Sequence, residues 1–135
     1  MMLYNINMIN HEIGQSKEDY LEAIAMIRKE KGSCLSIDVA NRLNYSRPSV
    51  SIAVKNLEAE HYITRNQNGE LELTKKGHAV ADRIVERHFL LTSIFKTLGI
   101  SAETAEKDAC RIEHFLSDET FDCIKDTLQK FKDKD

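Results

Sequence analysis

The sequence predicts a mostly α-helical protein in which an N-terminal winged helix-turn-helix is followed by an all-helical lobe. A single proline and five glycines in 135 residues leave long stretches free to form helix. Apolar residues recur at helical spacing along most of the chain. One Asn-Gly pair, Asn68-Gly69, interrupts this pattern between two short alternating stretches and predicts a single hairpin.

Length, charge and cysteine content limit the classes of function. The net charge is −3, so any contact with nucleic acid must come from a local basic patch. No apolar run approaches the roughly 20 residues of a membrane span, and Met1 to Gln15 lacks the pattern of a secretory signal. The three cysteines fit reduced thiols better than a disulfide framework, so we expect a cytoplasmic protein. Residues 1–15 are interpreted as a tail or arm.

The first helix is predicted to begin at Ser16, because a hydroxyl cap followed by Asp19 three residues later is typical of a helix start. Apolar residues then recur at helical spacing to Lys31, and Gly32 ends the helix. Asp19 and Glu22 share one face near its start. Taken alone, they are interpreted as a capping carboxylate and a solvated charge.

Two short helices joined by a tight turn follow. Ser36 is predicted to cap the first of them, and Asn44-Tyr45 forms the turn. The second helix opens at Ser46-Arg47-Pro48, where proline suits an initial helical position. Helices in this order, separated by three or four residues, are typical of a helix-turn-helix.

The outward face of the second helix favours DNA contact. Small residues allow close approach of the backbone, while hydroxyls and arginine reach phosphates or base edges. An ordinary surface helix, the alternative, more often carries Glu and Lys at such positions. The residues predicted to contact DNA are Ser46, Arg47, Pro48, Ser49, Ser51, Ile52 and Lys55 in this helix, and Arg65 in the hairpin.

The hairpin comes directly after the helix-turn-helix, as a wing does. Its strands are predicted at 61–65 and 70–74, where apolar and polar residues alternate. The complete winged helix-turn-helix is therefore placed at residues 16–74.

Residues 75–135 are predicted to form an all-helical metal-binding and dimerisation domain. One long helix runs to about Gly99, and Ser101 and Ser117 cap two shorter helices. These helices are too few to enclose a core, so we expect a homodimer that shields their apolar surface. A symmetric dimer would present two recognition helices to a palindromic site on double-stranded DNA.

A cluster of metal-donor residue types lies in this second domain. If Cys110 to His114 is helical, then Cys110, Glu113 and His114 fall on one face at i, i+3 and i+4. Thiol, carboxylate and imidazole are the common donors to transition metals. His88, on the long helix, is by itself more typical of a partly buried core residue.

At this point the chain resembles the DtxR/MntR family of metal-dependent transcriptional repressors, in its short form without the SH3-like domain. The resemblance runs from about residue 16 to residue 131. It rests on motifs that occur in one order, at 18–22, 46–51, 73–77, 87–88 and 109–119.

The resemblance implies a regulatory metal site that joins the two lobes. Asp19 and Glu22 match ligands of the manganese-sensing branch, whereas Cys110 matches a ligand of the iron-sensing branch. His88, Glu113 and His114 match ligands found in both branches. The implied ligand set is Asp19, Glu22, His88, Cys110, Glu113 and His114.

The implied function is a repressor of metal-homeostasis genes with Fe(II) or Mn(II) as corepressor. The single thiolate favours Fe(II) slightly, and Co(II), Ni(II) or Zn(II) are expected to bind in vitro. The main alternative is a metal-independent winged-helix regulator. A metal-dependent hydrolase is disfavoured because the sequence offers no dedicated general base beside an open coordination position. No enzymatic activity, small organic substrate or membrane partner is expected.

Overall fold

The computed structural model describes residues 14–133 and is mostly α-helical, as predicted. The elements are α1 (Gln15–Lys31), α2 (Ser36–Leu43), α3 (Arg47–Ala59), β1 (Ile63–Arg65), β2 (Leu71–Leu73), α4 (Lys75–Thr97), α5 (Ala102–Ile112) and α6 (Asp118–Asp133). No helix among these residues is long and apolar enough to cross a membrane. Residues 1–13 of the predicted tail lie outside the described range.

The described residues form two compact units, 14–85 and 86–133. The division falls within α4, whereas the domain boundary drawn on the sequence stands where α4 begins. The first unit contains α1, the helix-turn-helix and the hairpin. Its buried core includes Leu21, Ile24, Val39, Val54 and Leu57.

Two helix starts differ from the prediction. Gly14 is the N-cap of α1, so Ser16 lies inside the helix and does not cap it. Ser36 is the first residue of α2, and the Asp38 carboxylate accepts the main-chain N–H of Leu35 at 2.9 Å. This hydrogen bond lowers the pKa of Asp38. The Asp38 carboxylate, at the third helical position, thus reaches back to the N-cap residue Leu35, while Ser36 lies inside the helix.

The start of the recognition helix α3 confirms the prediction. Ser46 is the N-cap, and its hydroxyl oxygen accepts the main-chain N–H of Ser49 at 3.3 Å. Pro48 lies in the first turn, where its missing N–H costs no helical hydrogen bond. Val50 and Val54 face the core, so the opposite side of the helix is left to solvent.

The hairpin is shorter than predicted but has the expected antiparallel pairing. Ile63 pairs with Leu73, and Arg65 pairs with Leu71. Asn66 and Glu70 close the loop through a main-chain hydrogen bond of 3.0 Å. Gly69 occupies the left-handed region with φ 78°, which glycine adopts without steric cost.

A close backbone approach joins the hairpin to α4. The Thr74 hydroxyl donates to the carbonyl of His61 at 2.6 Å and accepts the N–H of Gly77 at 3.1 Å. A Cβ atom at Gly77 would lie 2.0 Å from the carbonyl oxygen of Tyr62. Only glycine therefore allows the first turn of α4 to pack against this carbonyl.

Candidate metal-binding and DNA-binding residues

In the first unit, two predicted ligands share a face of α1. Asp19 and Glu22 are both half-buried, and they offer carboxylate oxygens within 4.8 Å of each other. The neighbouring Glu18 is fully buried and accepts a 2.8 Å charge-assisted hydrogen bond from Arg83 of α4. This pair, in which the Arg83 side chain is 34% exposed, fixes the first turn of α1 against α4, which positions the two carboxylates.

In the second unit, the Glu113 carboxylate lies between two imidazoles. Its Oε2 is 2.9 Å from Nδ1 of His88, and its Oε1 is 3.4 Å from Nε2 of His114. Glu113 and His114 are both fully buried, and the His88 side chain is 18% exposed. A buried carboxylate with nitrogen donors on both sides is an arrangement suited to a cation.

The third predicted ligand of this cluster, Cys110, lies in the last turn of α5. Its side chain is exposed, and its Sγ is within 4.8 Å of a Glu113 carboxylate oxygen. The helix ends at Ile112, so Glu113 and His114 lie in the following turn, where the sequence spacing had placed them on one helical face. Glu113 keeps helical angles, and its N–H bonds to the Ala109 carbonyl at 2.9 Å, which explains why Cys110 and Glu113 remain close.

The chemistry of this donor set fits a divalent metal. Within 86–133 the structure brings together His88, Cys110, Glu113 and His114, and within 14–85 it brings together Asp19 and Glu22. Carboxylates, imidazoles and one thiolate are typical of roughly octahedral sites for Fe(II), Mn(II), Co(II) or Ni(II).

The residues predicted to contact DNA all lie at the surface of the first unit. Ile52, the most apolar of them, is 63% exposed on α3. Arg65 on β1 is exposed and lies 3.6 Å from Glu58, which partly offsets its charge. The exposed set comprises Ser46, Arg47, Pro48, Ser49, Ser51, Ile52, Lys55 and Arg65.

The three cysteines, all within the described residues, form no disulfide. Cys34 is buried, and burial raises the pKa of its thiol to about 11. Cys123 is exposed on α6. Cys34 is therefore a protonated core residue at neutral pH, whereas Cys110 and Cys123 face solvent.

Two family descriptions match consecutive parts of the chain. Residues 12–71 match the family description "Iron dependent repressor, N-terminal DNA binding domain". Residues 74–135 match "Iron dependent repressor, metal binding and dimerisation domain". The chain belongs to the DtxR/MntR family of metal-dependent transcriptional repressors. As a member, it is a transcriptional regulator and not an enzyme, with DNA, a divalent metal and a second copy as its partners.

Individual members of the DtxR/MntR family show how far the likeness extends. The HTH-type transcriptional regulator MntR of Geobacillus kaustophilus is 36% identical over 118 residues, which cover 87% of this chain and 84% of that protein. The crystal structure of T. acidophilum IdeR is similar with a TM-score of 0.71 and 28% identity, covering 85% of this chain. The structure of the manganese regulator SloR has a TM-score of 0.71 and 27% identity, covering 84% of this chain. This chain spans 53% of each of these two longer structures.

Two buried charged residues near the predicted ligands were missed by sequence reasoning. Glu18 carries no signal that separates it from a surface carboxylate. Arg87, in contrast, stands three residues after Ile84 and four before Leu91, within the apolar stripe of α4. A charge within such a stripe indicates buried partners, and Arg87 is only 1% exposed.

Proposed function

We propose that this chain is a homodimeric repressor with Fe(II) or Mn(II) as corepressor, and that it binds palindromic operators of metal-homeostasis genes. The observation that carries the proposal is the buried Glu113 carboxylate between the imidazoles of His88 and His114. A carboxylate and two imidazoles that are wholly or largely removed from water are costly to keep unless a cation or proton compensates the charge.

The ligand set of the proposal is Asp19, Glu22, His88, Cys110, Glu113 and His114. A bound divalent ion supplies a fixed positive centre that holds such donors in one arrangement. Asp19 and Glu22 belong to the unit that carries α3, and the other donors belong to residues 86–133. Metal can favour the DNA-binding state only by binding that state more tightly, and DNA must then raise metal affinity by the same factor.

Cys110 supports Fe(II) as the physiological ion, and the three carboxylates support Mn(II). The relative SloR, described as a manganese regulator, also favours Mn(II). We propose Fe(II) slightly ahead of Mn(II) as the physiological ion, because thiolate is the softest donor of the set. Intrinsic affinity does not decide between them, since the later divalent metals bind most sites more tightly.

DNA binding should depend on metal. Duplexes selected from a randomised pool with Mn(II) and the chain are expected to contain two-fold symmetric half-sites. Fluorescence anisotropy on such a duplex should show tight binding with Fe(II) or Mn(II) and weak, salt-sensitive binding with chelator. Equal affinity in all three conditions would establish a metal-independent regulator.

Metal should protect Cys110 from alkylation but not Cys123. Both thiols are exposed, whereas Cys34 is buried with a pKa of about 11 and should react slowly at pH 8. Single-cysteine reactivity can be followed in Cys123→Ser and Cys110→Ser variants. Added Fe(II) or Mn(II) should slow the Cys110 rate at least about tenfold, because a metal-bound thiolate is withdrawn from the reactive pool.

Cys123 is the matched control in this experiment, because it is equally a solvent-facing thiol on a helix of the same unit. Its rate should stay constant on metal addition. Equal rates for Cys110 with and without metal would remove Cys110 from the ligand set, while leaving metal-dependent DNA binding to be judged by the anisotropy measurement.

A further inference from the structure

Arg87 has a charged side chain that is buried within the second unit. It lies on α4 and is 1% exposed. Its Nη1 donates to the main-chain carbonyl of Glu113 at 3.2 Å and to the carbonyl of Leu116, while Nη2 donates to the carboxylate of Asp118. The guanidinium also stacks 5.1 Å from the centre of the Phe121 ring.

The three oxygens that accept from Arg87 lie between the end of α5 and the first residue of α6. The Glu113 carbonyl stands at the C-terminal end of α5, where main-chain carbonyls lack helical donors. Leu116 follows in the turn, and Asp118 is the first residue of α6. One planar guanidinium thus fixes the end of one helix, the turn and the start of the next. A lysine ammonium could not reach the same oxygens with the same geometry.

The neighbouring residue of Arg87 contacts the same glutamate. Arg87 binds the main-chain oxygen of Glu113, and His88 lies 2.9 Å from its carboxylate. Two consecutive residues of α4 therefore determine where the backbone and the side chain of Glu113 stand. Since His114 follows Glu113 directly in the chain, the hydrogen bond from Arg87 to the Glu113 carbonyl also positions the backbone of His114.

We propose that Arg87 is a positioning residue for the metal site, which holds the Glu113-His114 turn at the distance from α4 that the ion requires. The inference rests on the proposed function, because it assigns Arg87 a role toward the ion bound by these residues. Asp118 helps to orient Arg87. Its carboxylate is 71% exposed and accepts a hydrogen bond from the buried guanidinium.

The test compares Arg87→Lys and Asp118→Asn with Arg111→Lys as the matched control. Arg111 is an exposed arginine on α5, 3.8 Å from Asp108, and lies one residue after Cys110. The first measurement is Mn(II) affinity by competition with a fluorescent chelator, at a temperature where each variant is folded. Arg87→Lys should lower the affinity about tenfold, as loss of a partner that orients ligands typically does. Asp118→Asn should lower it less, and Arg111→Lys should stay within about twofold of the unchanged protein.

The second measurement needs no metal. Hydrogen exchange of the Glu113, Phe115 and Leu116 amides, which bond to carbonyls at the end of α5, should accelerate in the metal-free Arg87→Lys variant. Faster exchange together with lower affinity supports positioning. Faster exchange with unchanged Mn(II) affinity shows that Arg87 serves only the fold and overturns the inference.

If Arg87→Lys does not fold, Asp118→Asn still tests the inference, because it changes only the exposed partner of the Arg87 guanidinium. Unchanged Mn(II) affinity in a folded Asp118→Asn variant would then overturn the inference. Failure of the unsubstituted chain to bind either Mn(II) or Fe(II) would instead refute the proposed function itself, and this result is obtained before any variant is compared.

Discussion

Replacing His114 by Ala is expected to lower Mn(II) affinity by more than about 100-fold, since even partners that only orient ligands are worth roughly 10- to 100-fold. The imidazole is fully buried, and its Nε2 lies 3.4 Å from the Glu113 carboxylate. Its loss removes a nitrogen donor and leaves the carboxylate with one imidazole neighbour in place of two. Chelator competition measures the metal affinity, and anisotropy on a selected duplex at fixed Mn(II) should fall to the level seen with chelator.

His78→Ala is the matched control for this substitution. His78 is an exposed histidine on α4, 3.6 Å from Asp82, and no metal role is proposed for it. Its removal should change neither measurement by more than about twofold, as is usual for exposed ion pairs. The near-isosteric His114→Asn separates loss of the donor from loss of packing. A folded His114→Asn variant with full metal-dependent DNA binding would show that metal binding does not need the His114 imidazole.

Replacing Gly77 by Ala is expected to destabilise the first unit by about 3 kcal/mol, the upper end of the usual cost of overpacking. The added Cβ would lie 2.0 Å from the Tyr62 carbonyl oxygen, which is main chain and cannot rotate away. Relief requires α4 to move away from the hairpin and disturbs the hydrogen bond from Gly77 to Thr74. Urea denaturation followed by far-ultraviolet circular dichroism measures the loss.

Gly14→Ala provides the comparison within the same unit. No atom lies within 4 Å of a Cβ at Gly14, and its φ of −68° is open to any residue. As an N-cap it should lose roughly 1 kcal/mol or less on substitution. Equal destabilisation by the two substitutions would show that the approach to Tyr62 is not the constraint on Gly77.

Element type was predictable because apolar periodicity records which face of each segment is buried. The α3 stripe of Val50, Val54 and Leu57 is buried as expected. Helix starts were less predictable. Ser46 caps α3, but Ser16 and Ser36 do not cap their helices, because the identity of a hydroxyl residue does not say where the chain enters the helix.

The candidate ligands could be named from the family motifs, but their geometry could not. Helical spacing placed Glu113 and His114 on α5, whereas the helix ends at Ile112. The termination is accompanied by a tertiary contact, the hydrogen bond from Arg87 to the Glu113 carbonyl. Sequence patterns record local preference, so the pattern of α5 does not show a contact that Arg87 makes from α4. The only sign of that contact in the sequence is a charged residue within the apolar stripe of α4.

The two serines at the start of α3 hold each other's side chains in place. Their hydroxyl oxygens lie 2.8 Å apart, and Ser46 Oγ also accepts the Ser49 amide at 3.3 Å. One of the two hydroxyl hydrogens is therefore used between the side chains, and the pair keeps one hydrogen to offer outward. A phosphate oxygen, which can only accept, would be met by this single remaining hydrogen, so the two serines together would count as one donor to DNA.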